Sequence, residues 1–373
     1  MSGIYIHIPF CKSKCSYCDF YSIANSKKLT DFMPALLKEI EVRKECLTDK
    51  NIETIYFGGG TPSQLYIQDI EIILNQIYTH FQIKADAEIS FEANPDDLNI
   101  NYLRALKNLG VNRLSIGLQS LNDDMLRFLR RRHTADDAIS SVENADKCGF
   151  KNISADLIYG IPRLSEKMWQ ETLHKTLKLP IQHLSAYHLE IEENTLMYRQ
   201  LKENKFQVID EELSFTQYCD LLEISSTYNI NQYEISNFSK LGYQSKHNSA
   251  YWSRIEYLGF GPSAHSYYQN KRAFNVSDLD LYCKQIKKSQ PHYETETLSV
   301  LDHINEAIML SLRTVDGINI NDFEKDFGST QTEKLKSSLK TINQSNYKLE
   351  NAYVRLTNKG MFVSDSIIKK LFI

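Results

Sequence analysis

The chain has 373 residues, of which 42% are hydrophobic and 24% are charged, and its formal net charge is −4. This length can bury a sizeable core, and the slightly acidic balance excludes the strongly basic surface on which nucleic-acid binding depends. No apolar run approaches the roughly 18 residues of a membrane-spanning helix, and the opening MSGIYIHIPF lacks the features of a secretory signal. We therefore expect a cytoplasmic protein.

Strand-like and helical patterns alternate through the first two thirds of the chain. The predicted strands are Ile4–Ile8, Thr54–Phe57, Ala87–Phe91, Arg113–Ile116, Asn152–Leu157, His183–His188 and Gln232–Ile235. The predicted helices include Leu29–Cys46, Ile67–His80, Tyr102–Leu109, Ala135–Lys147 and Glu166–Leu177. This alternation indicates an α/β fold of right-handed βαβ units with a parallel sheet. Sites in such folds gather at the carboxyl ends of strands.

The pattern changes after residue 236. Residues 237–268 are rich in aromatic and polar residues and predict a loop. Later segments predict three helices, a strand pattern, a turn and a final helix, at Asp302–Arg313, Ile320–Phe327, Glu333–Ile342, Tyr347–Thr357, Asn358–Gly360 and Val363–Phe372. We therefore expect a core domain of residues 1–236 and a smaller, α-rich, winged-helix-like C-terminal domain of residues 237–373. This second domain has no concentrated basic patch, so DNA binding is not expected.

Three of the seven cysteines, Cys11, Cys15 and Cys18, lie within eight residues in a CxxxCxxC spacing. The other four are scattered, so a disulfide framework is not expected. Three thiolates in one short loop can hold a [4Fe-4S] cluster and leave one iron open for chemistry. A zinc site with His7 as fourth ligand is the alternative, although zinc usually takes two pairs of ligands and no second cysteine pair is present.

A glycine run, Gly58-Gly59-Gly60-Thr61-Pro62, follows the second predicted strand. Consecutive glycines let the backbone approach a ligand closely. The same run fits a turn from strand to helix, with Thr61 as the N-cap and Pro62 as the first helical residue. Both interpretations can hold together.

The cysteine spacing, the aromatic Tyr17 and the glycine run resemble the radical S-adenosylmethionine (SAM) superfamily. The resemblance implies a partial (β/α)6 barrel and a [4Fe-4S] cluster whose open iron binds SAM and cleaves it to methionine and a 5′-deoxyadenosyl radical. Taken singly, the polar residues after the other strands fit ligand contact and ordinary pairing about equally. By the resemblance, the residues that line the SAM pocket are Tyr5, Tyr17, Gly59, Gly60, Thr61, Glu92, Gln119, Arg131 and Asp156.

Nearly the whole chain resembles the group that contains oxygen-independent coproporphyrinogen III oxidase and the heme chaperone HemW. The oxidase carries a further cysteine two positions after the third, where this chain has Phe20. The chaperone carries an HNxxYW motif, which is present here at residues 247–252. The resemblance implies heme binding by His247, Asn248, Tyr251 and Trp252, since a histidine can ligate iron and aromatic rings can face the macrocycle. A hydrogen-bonded loop histidine, with Trp252 at a domain interface, is the alternative.

The predicted function is that of a heme chaperone, which binds heme and transfers it to respiratory hemoproteins with the support of its SAM-bound cluster. One alternative is oxidative decarboxylation of coproporphyrinogen III, and another is a cluster-sensing DNA-binding regulator. Whether the protein is an enzyme stays open, because SAM cleavage is allowed but the oxidase activity is not expected. A membrane-associated recipient would bring this cytoplasmic protein to the inner membrane as a peripheral protein. The sequence leaves open the recipient, the mode of heme attachment and the formation of a homodimer.

Overall fold

The computed structural model describes residues 2–290 and 292–373. Its strands are β1 (Ser2–Ile8), β2 (Asn51–Gly59), β3 (Gln82–Ala93), β4 (Arg113–Gln119), β5 (Ile153–Tyr159), β6 (His183–His188), β7 (Asn231–Glu234), β8 (Asn237–Ser239), β9 (Tyr257–Phe260), β10 (His265–Tyr268), β11 (Lys271–Asn275), β12 (Tyr293–Thr297), β13 (Ile318–Asn319), β14 (Tyr347–Glu350) and β15 (Tyr353–Leu356). Its helices are α1 (Leu29–Arg43), α2 (Ile67–His80), α3 (Ile100–Asn108), α4 (Asp123–Phe128), α5 (Ala135–Lys147), α6 (Glu166–Leu177), α7 (Leu196–Lys202), α8 (Glu211–Thr227), α9 (Lys246–Trp252), α10 (Leu279–Lys287), α11 (Val300–Leu312), α12 (Ile320–Phe327), α13 (Ser329–Leu339), α14 (Asn358–Phe362) and α15 (Ser364–Leu371). None of the described helices is long and apolar enough to cross a membrane.

The first six strands pair in chain order and in parallel, which forms the predicted partial barrel. Strand β1 illustrates how the sequence forms this barrel, because successive side chains of a strand point to opposite faces of the sheet. Ile4, Ile6 and Ile8 are fully buried in the hydrophobic core. Tyr5 points to the other face, where its ring stacks on Tyr56 of β2. Burial of both faces is typical of parallel strands covered by helices.

The sheet continues beyond the barrel strands on both sides and does not close. Strand β8 pairs antiparallel with β6, and β7 pairs with β8. On the other side β9 lies parallel to β1, and β10, β11 and β12 follow as an antiparallel meander. The result is a mixed sheet of twelve strands around a six-stranded parallel unit.

The loop predicted for residues 237–268 is therefore wrong, because this segment forms β8, α9, β9 and β10. These strands have three or four residues each. Such short runs show little alternation in sequence, and β8 and β9 become strands by pairing with β6 and with the distant β1, whereas β10 pairs with its neighbours β9 and β11. The predicted strand Gln232–Ile235 is present as β7, but it pairs antiparallel rather than continuing the parallel series.

The three predicted helices of the C-terminal segment are present as α11, α12 and α13, with the unpredicted short strand β13 after the first, and a strand hairpin and two more helices follow. It has its own hydrophobic cluster, built on residues such as Ile308, Phe323 and Leu335. The predicted turn at Asn358–Gly360 is wrong, because the Thr357 side chain caps the nitrogen of Gly360 and starts α14. The chain turns earlier, between β14 and β15, with positive φ at two residues. The boundary at residue 236 stays a prediction, since the main sheet runs on to residue 297.

Candidate cluster and cofactor site

A cavity of about 410 Å³ opens at the carboxyl ends of the barrel strands. Its wall is built by the loops that follow these strands, which is where an α/β barrel places its site. The structure brings most of the predicted cluster and SAM residues together in this wall: Cys11, Cys15, Tyr17, Cys18, Gly59, Gly60, Thr61, Glu92, Gln119, Arg131 and Asp156. Tyr5 is the predicted SAM residue that does not line the cavity.

The cysteine loop is tied to its surroundings by backbone hydrogen bonds on both sides. The nitrogen of Cys11 donates to the oxygen of Ile23 at 3.1 Å, and the nitrogen of Ser16 donates to the oxygen of Leu129 at 3.2 Å. Two sulfur atoms also receive donors. The Thr61 hydroxyl lies 3.2 Å from Cys11 Sγ, and the Arg131 guanidinium lies 3.5 Å from Cys15 Sγ. Donors of this kind stabilise thiolate ligands of an iron–sulfur cluster.

The arrangement of the thiols fits a cluster better than a single metal ion. Among residues 2–290 and 292–373, no three His, Cys, Asp or Glu side chains are placed to hold one ion. In a cubane each cysteine binds a different iron, whereas zinc draws all its sulfurs to about 2.3 Å from one centre. Both ring nitrogens of His7 are engaged, by the Tyr5 hydroxyl and the Tyr21 carbonyl, so His7 is not placed to complete a zinc site. Burial raises the pKa of Cys18 to about 11, so metal binding must displace its proton at neutral pH.

Close packing requires glycine at the second and third residues of the glycine run, Gly59 and Gly60. Gly59 has a φ of +105°, and a Cβ there would lie 2.6 Å from the ring of His7. A Cβ on Gly60 would lie 2.8 Å from the carbonyl oxygen of Ile8. Pro62 begins a short 3-10 helix as predicted, but the Thr61 side chain makes no cap hydrogen bond and donates to Cys11 instead. The backbone after β2 therefore borders the cavity directly.

Two half-buried carboxylates, Glu92 and Asp156, face the cavity from β3 and β5. Glu92 accepts hydrogen bonds from the Tyr56 hydroxyl at 2.7 Å and from the nitrogen of Gly59 at 3.2 Å, and burial raises its pKa to about 7. Asp156 accepts from Ser115 at 2.9 Å and from Ser154 at 3.1 Å, and burial raises its pKa to about 6. Carboxylates in such surroundings can accept hydrogen bonds from hydroxyl or ammonium groups of a ligand.

Arg131 lies between α4 and α5 and connects several parts of the wall. Its Nη2 atom donates to Asn94 Oδ1 at 2.6 Å and to the carbonyl of Gly117 at 2.8 Å. Its Nε atom is buried and has no hydrogen-bond partner among the residues that the structure describes. Sequence reasoning missed many residues of this wall, among them Asn94 and Arg113. Asn94 stands in the polar turn after β3, but no sequence signal marks Arg113.

The predicted heme motif forms helix α9, which lies beneath the cavity. The helix starts at a cap by Ser245, and Ser245 and Asn248 line the cavity from below. His247 is only 1% exposed. One ring nitrogen lies 2.8 Å from the Thr54 hydroxyl and the other lies 2.8 Å from the Tyr251 hydroxyl. The structure therefore places His247 as the hydrogen-bonded histidine of the alternative interpretation, although on a helix rather than in a loop.

The other motif residues do not share one open face. The ring of Tyr251 packs edge-on against Tyr257, with centroids 4.5 Å apart. The indole nitrogen of Trp252 is buried without a hydrogen-bond partner. Tyr5 also belongs to this lower layer, because its ring stacks on Tyr56 and on His247. Asn248 is thus the member of the motif that lines the cavity.

Comparison with known proteins gives two family matches and several relatives. The Radical SAM superfamily matches residues 5–176, and the HemN C-terminal domain matches residues 298–363. Curated relatives include "Heme chaperone HemW" of Bacillus subtilis, 34% identical with 98% of each chain covered, and that of Lactococcus lactis, 32% identical with 100% of this chain and 97% of the relative covered. The solved coproporphyrinogen III oxidase (HemN) from Escherichia coli superposes with a TM-score of 0.87 over 100% of this chain and 90% of its own, at 21% identity, which shows a shared fold.

The open parallel barrel, the three-cysteine loop and the cavity between them define the class as radical SAM proteins. Membership implies SAM and a [4Fe-4S] cluster as cofactors, and the wall of thiols, unpaired donors and carboxylates fits both. Within this superfamily the chain belongs to the heme chaperone HemW family, as the nearly full-length identity of 34% shows.

Proposed function

We propose that the protein binds heme and transfers it to respiratory hemoproteins while carrying a SAM-bound [4Fe-4S] cluster. The observation that carries this proposal is the 34% identity over 98% of both chains to a protein named heme chaperone. The absence of a fourth thiol next to the cluster loop supports it as well. Phe20 stands where the oxidase has its additional cysteine, and its side chain is 69% exposed at the cavity wall.

The residues proposed to hold the cofactors follow from the site geometry. Cys11, Cys15 and Cys18 would hold the cluster, which supplies an electron-accepting and electron-donating iron centre when bound. The unpaired Nε of Arg131 can donate to a ligand carboxylate, and Glu92 and Asp156 can accept from its ammonium or hydroxyl groups. The remaining proposed SAM contacts are Tyr17, Gly59, Gly60, Thr61 and Gln119.

Heme contact through the HNxxYW motif stays a prediction. Iron ligation by His247 would replace the hydrogen bond of the ligating nitrogen, to Thr54 or to Tyr251, in a ring that is only 1% exposed. Burial lowers the pKa of His247 to about 3, so the imidazole is neutral throughout the physiological range. Asn248 can contact a ligand in the cavity without such a rearrangement.

Two assays on the same anaerobically reconstituted protein test the proposal. In the first, heme is titrated into the cluster-loaded protein, which is then mixed with an apo-hemoprotein or with membranes that contain respiratory hemoproteins. We expect stoichiometric heme binding and loss of heme to the recipient. In the second, coproporphyrinogen III, SAM and a reductant are added, and no protoporphyrinogen should form. Formation of protoporphyrinogen together with absence of heme binding would contradict the chaperone function and support the oxidase.

A further inference from the structure

A row of polar side chains crosses β5 and β6 on the face of the sheet that borders the cavity. The register of the two strands places Ser154 beside His183, and Asp156 beside Ser185. Residues two apart on a strand point to the same face, so these four side chains lie together. Ser154 and His183 are fully buried, whereas Asp156 is half-buried and lines the cavity. The row therefore extends from the cavity wall towards the amino-terminal ends of the strands.

Hydrogen bonds join three members of this row and two residues beyond it into one chain. An oxygen of Asp156 lies 3.1 Å from the Ser154 hydroxyl, which lies 2.8 Å from Nδ1 of His183. Nε2 of His183 lies 2.8 Å from the hydroxyl of Tyr233 on β7. The Tyr233 oxygen in turn accepts from the backbone nitrogen of Ser245 at 3.2 Å. The chain therefore connects the N-cap of α9 to the carboxylate in the cavity wall without a missing link.

His183, in the middle of the chain, is neutral in these surroundings. Burial lowers its pKa well below the ordinary value, and the positive charge of Arg113 acts in the same direction. A neutral imidazole has one nitrogen that donates a hydrogen bond and one that accepts. The direction of the hydrogen bonds on both sides of His183 is therefore set by which of its two nitrogens carries the proton.

The far end of the chain decides this tautomer. The backbone nitrogen of Ser245 can only donate, so the Tyr233 oxygen accepts there and its own hydrogen needs a different partner. Among residues 2–290 and 292–373, Nε2 of His183 is the acceptor placed for that hydrogen. Nδ1 then carries the proton and donates to Ser154, which leaves the Ser154 hydroxyl hydrogen for Asp156. A hydrogen bond to an ionised carboxylate is stronger than one between neutral groups, so both ends of the chain favour the same direction.

The carboxylate of Asp156 depends on the donors that are aimed at it. Ser115 on β4 donates to both of its oxygens, at 2.9 and 3.0 Å. Burial raises the pKa of Asp156 to about 6, and the hydroxyls of Ser115 and Ser154 and the charge of Arg113 oppose this rise. The neighbouring carboxylate of Glu92 supplies no donor, and the charge of Asp156 raises the pKa of Glu92. The two serine hydroxyls therefore hold the ionised form of Asp156 in place.

We propose that His183 is a positioning residue for Asp156. In the Nδ1–H tautomer, which Tyr233 fixes, it turns the Ser154 hydroxyl towards the carboxylate and so orients Asp156 for SAM. This inference rests on the proposed function, because Asp156 is a proposed SAM contact. Ser154, His183 and Tyr233 do not line the cavity, so they act on a ligand through Asp156. The chain also links the SAM pocket to α9, since Ser245 caps the helix that carries the HNxxYW motif.

Nitrogen NMR of the full-length, cluster-loaded protein with 15N-labelled histidine tests the tautomer directly. The signals of His183 are identified by their loss in the His183→Asn variant. We expect a neutral ring that is protonated at Nδ1 in the wild type. Tyr233→Phe removes the donor that fixes Nε2 as an acceptor, so this variant should show both tautomers. A wild-type ring protonated at Nε2 would overturn the inference, whether or not SAM binds.

Equilibrium SAM binding to cluster-loaded variants tests the effect on the pocket. We expect Tyr233→Phe to bind SAM on the order of threefold more weakly than the wild type, and Ser154→Ala on the order of tenfold more weakly. In an Asp156→Ala background Tyr233→Phe should have no further effect, because the group through which it acts is gone. Tyr218→Phe is the matched control, since it removes a buried hydroxyl that is bonded to Gln232 instead of the chain. Iron and sulfide content reports folding in each protein.

Two different failures can be told apart in this experiment. Equal SAM affinity of Tyr233→Phe and the wild type, or the same loss with and without the Asp156 carboxylate, would overturn the role of His183 and leave the proposed SAM pocket intact. A wild type that binds no SAM would contradict the proposed pocket itself, and the role of His183 would fall with it.

Discussion

The hydroxyl of Tyr56 donates a 2.7 Å hydrogen bond to the carboxylate of Glu92. On its other side the ring of Tyr56 stacks on His247, with centroids 5.0 Å apart. Helix α9 also anchors to the barrel through Glu88, which accepts from the backbone nitrogens of Lys246 and His247 at 3.2 Å. Helix α9, which lies beneath the cavity, is therefore linked through Tyr56 to Glu92, a carboxylate of the proposed SAM pocket.

Replacement of Tyr56 by phenylalanine should weaken SAM binding several-fold, because one hydrogen bond that orients Glu92 is lost at a cost of about 1 kcal/mol. The same bond lowers the pKa of Glu92, so its removal raises that pKa further. The weakening should therefore be greater at pH 7 than at pH 9 if the ionised carboxylate binds SAM. Equilibrium SAM binding across this range measures both effects. Tyr66→Phe, an exposed tyrosine, is the control.

Glu92 should make the SAM-free protein less stable as the pH rises. Burial raises its pKa from 4.5 to about 7. Between these values the folded state holds more protons than the unfolded state, so the free energy of unfolding falls with increasing pH. Glu92→Gln should therefore be more stable than the wild type at pH 8, by on the order of 1–3 kcal/mol, and show little difference near pH 4.5. Chemical denaturation at both pH values checks this, and a wild type that is the more stable at pH 8 contradicts it.

Replacement of Cys11, Cys15 and Cys18 together by alanine should abolish binding of iron and sulfide after anaerobic reconstitution, because it removes the three thiolates proposed to hold the cluster. The iron–sulfur absorbance and chemical analysis of iron, sulfide and zinc measure the outcome. Cys283→Ala provides the matched control, since this thiol lies on α10 away from the cavity wall. A full cluster in the triple variant, or zinc in the wild type, would refute the ligand assignment.

Glu39 should be essential for the stability of the part of the sheet that extends beyond β1, which consists of β9 to β12 with α10. Its buried carboxylate accepts from Arg43 on its own helix and from Asn275, Tyr282 and His292 on the extension, at 2.6–3.1 Å. Glu39→Ala leaves Arg43, which is 1% exposed, without its counter-ion, at a cost of about 3–5 kcal/mol in the free energy of unfolding.

Glu41→Ala is the matched control for this prediction, because Glu41 forms an exposed pair with Lys38 on the same helix and its loss should change the free energy of unfolding little. Burial alone would raise the pKa of Glu39, but the hydrogen bond from His292 and the charge of Arg43 hold it below its ordinary value. The difference between the two variants should therefore persist above pH 4.5 and shrink as the pH falls below the folded pKa. Equal destabilisation by both variants would contradict the role of Glu39.

Much of the fold was predictable from local sequence, and so was the part of the site formed by the loops that follow the strands. Strands such as Arg113–Ile116 and helices such as Ile67–His80 carry periodic apolar residues, and β4 and α2 match them closely. The cysteine loop and the glycine run are short segments whose chemistry depends on neighbours in sequence. Their residues accordingly meet in one cavity.

The part of the site beneath the cavity, formed by helix α9, was not predictable in this way. The sequence of the heme motif predicts a loop, but the motif forms a helix packed under the barrel, where His247 is hydrogen-bonded to Thr54, 193 residues away. His188 appears in the sequence as the end of an ordinary strand, and only the structure shows its ring packed against Tyr159 and hydrogen-bonded to Ser214.

By itself the sequence determined the alternation of strands and helices, the spacing of the three loop cysteines and the resemblance to radical SAM proteins, because each depends on residues close together in the chain. Only the tertiary structure decided which polar groups are buried, which hydrogen bonds they complete and which imidazole faces the cavity. The physical reason is that burial and hydrogen-bond pairing depend on contacts between distant segments, here between the barrel strands and the C-terminal extension.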